Sequence, residues 1–188
     1  MGAPLVALVR RALEAGDLYG PAWRALRRKD PLQAAALEDP GEWTSAVAYA
    51  ALLHEVTLLA RGLDRLRALG YDFAMETLGA GGHFADLRRS WMETFGGTPT
   101  EIVRFVPHLW SVGTRANGEA RIADEGRGFV RLVLEDAPVV RGSVAWQRML
   151  EGSLEGLLVL TGAQVNVQLG PSALDPDRVE ALVLWQTR

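Results

Sequence analysis

The stretch from Gly128 to Trp185 constrains the fold more than any other part of the chain. It reads as a strand, a long helix carrying two glycines, and two further strands joined by a turn. GFVRLVLED alternates, with Val130, Leu132 and Leu134 on one face and Arg131 and Glu135 on the other, the period of a half-buried strand. After APVVRGS, the run WQRMLEGSLEGLLVLTGA is helical in character and holds Gly152 and Gly156 one turn apart. QVNVQL and VEALVLW follow as strands on either side of the turn-rich GPSALDPDR. A glycine inside a helix costs about 1 kcal/mol relative to alanine, so two at this spacing require a compensating contact. They make a flat groove flanked by Met149 and Val159 or Leu160, with Arg148, Glu151 and Glu155 spaced for ion pairs on the charged side. The groove suits close packing on the sheet or on another helix. It equally suits a ligand or a second subunit, and on that reading Gly152 and Gly156 are the expected interface residues.

The residues before this unit read as helices. Residues 4–15 place Leu5, Leu8, Val9 and Leu13 on one face and stop at Gly16. Pro21 opens a short helix over 21–29, and the Asp30-Pro31 pair, an N-cap followed by proline at the first helical position, opens another over 31–38. Between 42 and 69 there is room for one long helix or two, closed by Gly70, with a further helix over 71–78. HFADLRRSWMETFGG gives the next, ended by Gly96-Gly97. Thr98-Pro99-Thr100-Glu101 is a capping box, and the helix it starts buries Ile102, Phe105, Val106 and Leu109. Pro107 is expected to kink that helix or end it early. From about residue 113 short alternating runs take over, with GEARIAD predicted to pair with GFVRLVLED. Asn117-Gly118 either turns a hairpin against 110–115 or follows the end of the helix.

The expected class is α+β: a helical N-terminal half packed on a mostly antiparallel sheet, with one long glycine-containing helix inserted before the last two strands. The length suits a single domain over 1–188, comprising an N-terminal helical extension (1–40), a helical half (41–112) and the sheet with the long helix (113–188).

Several chemistries are excluded at this level. The chain has no cysteine, which removes disulfides, thiolate metal sites and cysteine nucleophiles. The net charge of −3 provides no basic field for nucleic acid. The clusters Arg24, Arg27, Arg28, Lys29 and Arg88, Arg89 read as solvated helix faces. Of the 20 basic residues only Lys29 is lysine, the mark of GC-rich coding. The apolar stretch from Ala46 to Leu53 is too short to span a bilayer, and the amphipathic start MGAPLVALVRRALEAG does not read as a signal peptide. A soluble, cytoplasmic protein is expected, with no membrane and no nucleic acid among its partners.

The three histidines carry no metal signature. His54-Glu55 opens a zincin-like pattern, but Leu58 stands where the second histidine would be. His83 and His108 have no carboxylate at ligand spacing. Gly79-Ala80-Gly81-Gly82 lacks the preceding strand and the following Lys-Ser/Thr of a phosphate loop, and no Gly-x-Ser-x-Gly elbow occurs. Asp175 and Asp177 sit in a turn, where aspartate is expected. No catalytic residue and no metal ligand follow, and the chain is not expected to be an enzyme. The aromatic residues Phe84, Trp91, Phe95, Phe105 and Trp110 are spaced either for the core or for the lining of an apolar pocket between helices and sheet. On the second reading the ligand-binding residues are His83, Phe84, Trp91, Phe105, His108 and Trp110.

RALGYDFAMETLGAG, TPTEIVRFVPHLW and GFVRLVLEDAPVVRG, together with MLEGSLEGLLVLTGAQVNVQL and EALVLW, resemble a bacterial family known chiefly from myxobacteria, domain of unknown function 2378, over roughly 40–186. The part over about 128–186, EGSLEGLLVLTGAQVNVQL above all, is also similar to the 4-vinyl reductase domain. That domain is related in architecture to haem–nitric-oxide-binding domains and to trafficking-complex subunits. The resemblance implies a small-molecule-binding or dimerising regulatory domain with an apolar cavity between helices and sheet. It does not extend to chemistry. The zinc-holding cysteines of some 4-vinyl reductase domains are absent. So is the Tyr-x-Ser-x-Arg haem-propionate motif, whose nearest run, Val112-Gly113-Thr114-Arg115, lacks the Tyr and Ser. No cofactor is expected. The function expected is a non-enzymatic regulatory or sensor domain that binds a small apolar ligand as a homodimer. The alternative is a protein–protein interaction or scaffold module with no ligand.

Overall fold

The computed structural model describes residues 2–38, 42–78, 85–95 and 97–186. The helices that precede the sheet are α1 (Ala3–Ala15), α2 (Tyr19–Lys29), α3 (Pro31–Glu38), α4 (Ala46–Ala60), α5 (Asp64–Leu78), α6 (Ala85–Phe95) and α7 (Pro99–Gly113). Strands β1 (Glu119–Gly126) and β2 (Phe129–Glu135) follow, then the short α8 (Pro138–Gly142) and the long α9 (Val144–Val159). Strands β3 (Gln164–Pro171) and β4 (Val179–Gln186) complete the sheet. The class is α+β, as the periodicity predicts. The sheet is antiparallel at every pairing, in the order β1-β2-β4-β3, so the chain places its last strand in the interior beside β2.

Local chemistry sets several helix starts. The Asp30 carboxylate accepts from the Gln33 N–H at 3.1 Å and starts α3. At α7 the Thr98 hydroxyl accepts from the Glu101 N–H, and the Glu101 carboxylate accepts from the Thr98 N–H at 3.1 Å, both halves of a capping box. Of the two alternatives for Pro107, early termination does not occur: α7 runs on to Gly113. The helix tolerates the missing N–H because Ile102 and Val103 anchor it in the core, and because Thr114 closes its last turn on the Trp110 carbonyl. Asn117-Gly118 therefore follows a helix end and turns no hairpin with 110–115. Nor does Gly70 close a helix. The break lies at Arg61, in the left-handed region at φ 55°, and α5 leaves α4 there at 120° and runs unbroken through Gly70 to Leu78.

The reason for Gly70 is also the reason for the glycine pair in α9. A Cβ at Gly70 would lie 2.0 Å from the Met149 carbonyl oxygen, and one at Gly152 would lie 1.8 Å from that of Arg67. At Gly156 it would meet the Tyr71 carbonyl at 2.8 Å and the Ala74 Cβ at 2.9 Å. Helices α5 and α9 thus touch backbone to backbone, and α5 of the same chain fills the groove made by Gly152 and Gly156. The charged positions of α9 serve the same contact. Glu155 pairs with Arg67 of α5 at 3.0 Å. Glu151, expected on a charged outer side, is buried. It accepts the Leu169 N–H of β3 at 2.7 Å and pairs with Arg148 at 2.6 Å.

Two apolar cores meet along α9. One joins the N-terminal helices to Trp146 and Met149. The other holds Leu157 and Leu158 against the sheet face formed by Val130, Leu132, Val167, Ala181 and Val183, with Ile102 and Val103 of α7. The opposite sheet face presents Asn166, Gln168 and Leu184 to solvent, the one-sided burial usual for an antiparallel sheet. No single described helix is long and apolar enough to cross a membrane.

Replacing Gly152 with alanine forces α5 and α9 apart. It should cost about 2–4 kcal/mol in thermal or urea denaturation, whereas Gly142→Ala, with open space around it, should fall within about 1 kcal/mol of wild type. The outer edge of the sheet also predicts a pH dependence. Hydrogen bonds from Arg104 and Arg121 hold the Glu125 and Glu135 carboxyls below their ordinary range. Carboxyls depressed in the folded state contribute stability that is complete above the unfolded carboxylate range, about pH 4–5, and that is lost as pH falls through the folded values. The melting temperature should therefore drop more steeply below about pH 4.5 in wild type than in the double variant Glu125→Gln/Glu135→Gln.

Candidate functional site

Helices α1, α2, α3 and α4 pack around a small apolar cleft. Val6 and Val9 of α1, Leu37 of α3 and Leu52 of α4 form its walls. The Tyr49 ring of α4 forms its floor. Tyr19, Arg10 and Glu38 lie at the rim. The Arg10 guanidinium is pinned there: its Nε donates to Glu14 at 2.8 Å, and the group stacks over the Tyr19 ring at 4.6 Å. The hydrogen bond to Glu14 raises the pKa of Arg10, and partial burial raises that of Tyr19. The free volume is about 100 Å³. That is below the roughly 300–1,000 Å³ of pockets for drug-sized ligands, and near the roughly 150 Å³ of an engineered apolar cavity that admits benzene. A single ring or a short alkyl chain matches this space.

The floor of the cleft is continuous with the core. Tyr49 is buried, stands edge-on to Trp146 with ring centroids 5.1 Å apart, and donates its hydroxyl to the Met149 sulfur at 3.1 Å. Burial pushes the Tyr49 hydroxyl far above its ordinary pKa, so it remains a neutral donor. Its proton is already committed to Met149, so the inner end of the cleft offers a ligand only apolar surface.

Of the histidines and aromatic residues singled out in the sequence, the described Phe105, His108 and Trp110 do not line this cleft. His83 and Phe84 lie outside the described residues, as does the Gly79–Gly82 segment, and Trp91 belongs to α6. Phe105 and His108 stack on α7 with ring centroids 4.9 Å apart, and His108 faces solvent. Trp110 points elsewhere. It packs against the N-terminal core and donates its indole N–H to the Gly118 carbonyl at 3.1 Å. His54 is exposed on α4, and neighbouring Glu55 is buried, with both oxygens taken by the Lys29 ammonium at 2.7 and 2.9 Å. Among the described residues no three His, Asp or Glu side chains gather where they could hold a metal ion. Asp175 caps its own turn, accepting the Asp177 N–H at 3.0 Å and pairing with Arg178 at 3.1 Å. The cleft is not legible in the sequence because each helix contributes only one to three apolar residues, indistinguishable in sequence from core.

Tyr49→Phe should cost only about 0.5–1.5 kcal/mol, since it removes one hydrogen bond to a weak acceptor and keeps the ring. Tyr49→Ala, which joins the cleft to the core, should cost about 3–5 kcal/mol in the same thermal melts.

No protein-family profile and no curated protein matches the sequence. Solved structures do match the fold. An Fe(II) unliganded H-NOX protein mutant from K. algicida is 10% identical, with 100% of this chain and 98% of that chain covered and a TM-score of 0.69. An H-NOX protein from S. oneidensis in the Fe(II)NO ligation state is 13% identical over 100% of both chains, with a TM-score of 0.64. A trafficking protein particle complex subunit 3 from Naegleria fowleri, covalently bound to palmitic acid, is 12% identical, with 76% of this chain and 95% of that chain covered and a TM-score of 0.50. The fold is therefore like that of these H-NOX structures over the whole chain, whereas the resemblance implied such an architecture for the C-terminal part. The described residues do not fit a haem. Both described histidines are exposed, there is no cysteine, and the buried Tyr49 and Met149 are bonded to one another. The cleft also has room for only a single ring.

Proposed function

We propose that this chain is a non-enzymatic regulatory domain of the domain of unknown function 2378 type, acting in the cytoplasm as a homodimer that binds one small apolar ligand. The observation that carries the reading is the apolar cleft floored by Tyr49, set within a fold that H-NOX proteins share over the full length of this chain. The fold likeness supports a sensor domain, and the residues narrow the ligand. Without a haem ligand or a cysteine among the described residues, recognition rests on burial of apolar surface, worth about 25 cal/mol per Å². The floor that a ligand would touch bonds directly to Met149, the residue whose carbonyl lies against Gly70. Occupancy of the cleft would thus bear on the contact that joins the two halves of the domain. The expected ligand residues His83, Phe84, Trp91, Phe105, His108 and Trp110 remain the second candidate, of which Phe105 and His108 adjoin one another on α7. The cleft is favoured because its walls are buried and apolar, whereas His108 is exposed.

Thermal unfolding in the presence of indole, toluene and hexan-1-ol tests the reading. At ten times the dissociation constant a ligand specific to the folded state adds about 1.4 kcal/mol, or about 3–6 °C in a domain of this size. Ala7→Trp, which covers the rim of the cleft, should abolish that shift. A shift that survives Ala7→Trp would move the ligand to the Phe105–His108 region. No shift with any of the three probes up to millimolar concentration would favour a scaffold module without a ligand.

A further inference from the structure

Helix α4 is apolar all round, a composition that ordinarily belongs to a helix buried on every side. Here one side is open. Val47 is 51% exposed and Leu58 is 55% exposed, with exposed His54 and half-buried Ala51 between them. These four positions follow the i, i+4, i+7, i+11 spacing of a single straight stripe, about 16 Å long at 1.5 Å per residue. The stripe bears no carboxylate, lysine or arginine. Glu55, the only carboxylate of the helix, turns inward to Lys29. The charges stand beyond the ends instead: Glu42 ahead of the helix and Arg61 at its C-cap. Both are exposed, and neither enters an ion pair among the described residues.

We propose that this face of α4 is where two copies of the chain pair, helix against antiparallel helix, giving the homodimer of the preceding reading its surface. The stripe is its own complement. A twofold axis between Leu52 and Leu53 sets Val47 against Leu58 of the partner subunit and Ala51 against His54 of the partner subunit, and the reverse contacts follow by symmetry, as an isologous interface requires. Ala51 beside the axis lets the helices approach closely. The same register brings Arg61, at the carbonyl end of one helix, towards Glu42 of the partner subunit ahead of the amide end of the other. The two unpaired charges then neutralise one another twice, and the helix dipoles oppose favourably. A membrane as the occupant is disfavoured by the overall negative charge, which gives no attraction to anionic lipid.

Sedimentation velocity of the full chain from about 1 to 100 µM tests the pairing. Wild type should show a concentration-dependent dimer. Leu58→Glu and Ala51→Arg should both shift it to monomer while melting near the wild-type temperature, Leu58 being more than half exposed. Leu174→Arg, 86% exposed in the β3–β4 turn, should leave the dimer intact. Arg61→Glu should weaken the dimer about tenfold, and the double variant Glu42→Arg/Arg61→Glu should restore it to within about threefold. A wild type that stays monomeric at 100 µM overturns the pairing and the homodimer together, while indole binding by that monomer would leave the ligand reading standing. A dimer that Leu58→Glu and Ala51→Arg leave intact overturns the α4 surface alone.

Discussion

The backbone-to-backbone contact of α5 and α9 is the constraint on which the rest of the structure depends. Three glycines clear the points of closest approach, so the spacing of the two helices is set there chiefly by main-chain atoms that cannot change rotamer. That rigidity propagates in both directions. Upstream, α5 and α9 fix Met149 and Trp146, and these two side chains hold Tyr49 and thereby α4. Downstream, Glu151 of α9 reaches the main chain of β3, while Leu157 and Leu158 lie on the sheet. A carboxylate so fully buried is tolerable only because both oxygens are engaged, one by an amide and one by a guanidinium.

How much of this was legible in the sequence depends on how local the cause is. Caps are local: Asp30-Pro31 and Thr98-Pro99-Thr100-Glu101 specify their helices within four residues, and the structure holds both. The glycine pair of α9 announces a close contact but not the element that fills it. Its complement, Gly70, lies far away in the chain and carries the same residue type as a helix terminator, so it reads as an end. At Pro107 the sequence leaves kinking and termination open. The lost hydrogen bond and ring crowding do not end the helix, because the buried turn at Ile102 and Val103 holds it. The cleft on α1–α4 is illegible because it is a gap between surfaces rather than a pattern within one. Among the aromatic residues, spacing alone could not tell that Trp110 turns inward to Gly118 while His108, two residues earlier, faces solvent.

The pairing of Tyr49 with Met149 settles two buried polar groups where α4 meets α9. A buried phenol and a buried thioether are each competent to ligate a metal, yet each satisfies the other and neither is left seeking a partner. Around Tyr49 the interior is thus apolar and satisfied, while the buried carboxylates Glu55 and Glu151 are answered by Lys29 and Arg148.

Lys29 gives the ion pair on α4 a further significance. It is the only lysine of the chain, and its ammonium supplies the charge that both oxygens of the buried Glu55 lean on. Any acylating agent, enzymatic or chemical, therefore finds a single ε-amine, more than half exposed, whose neutralisation strands a carboxylate inside the helical core. Amine-directed labelling or immobilisation of this protein is consequently not a neutral operation. It acts at a surface position where a change of charge is felt in the interior.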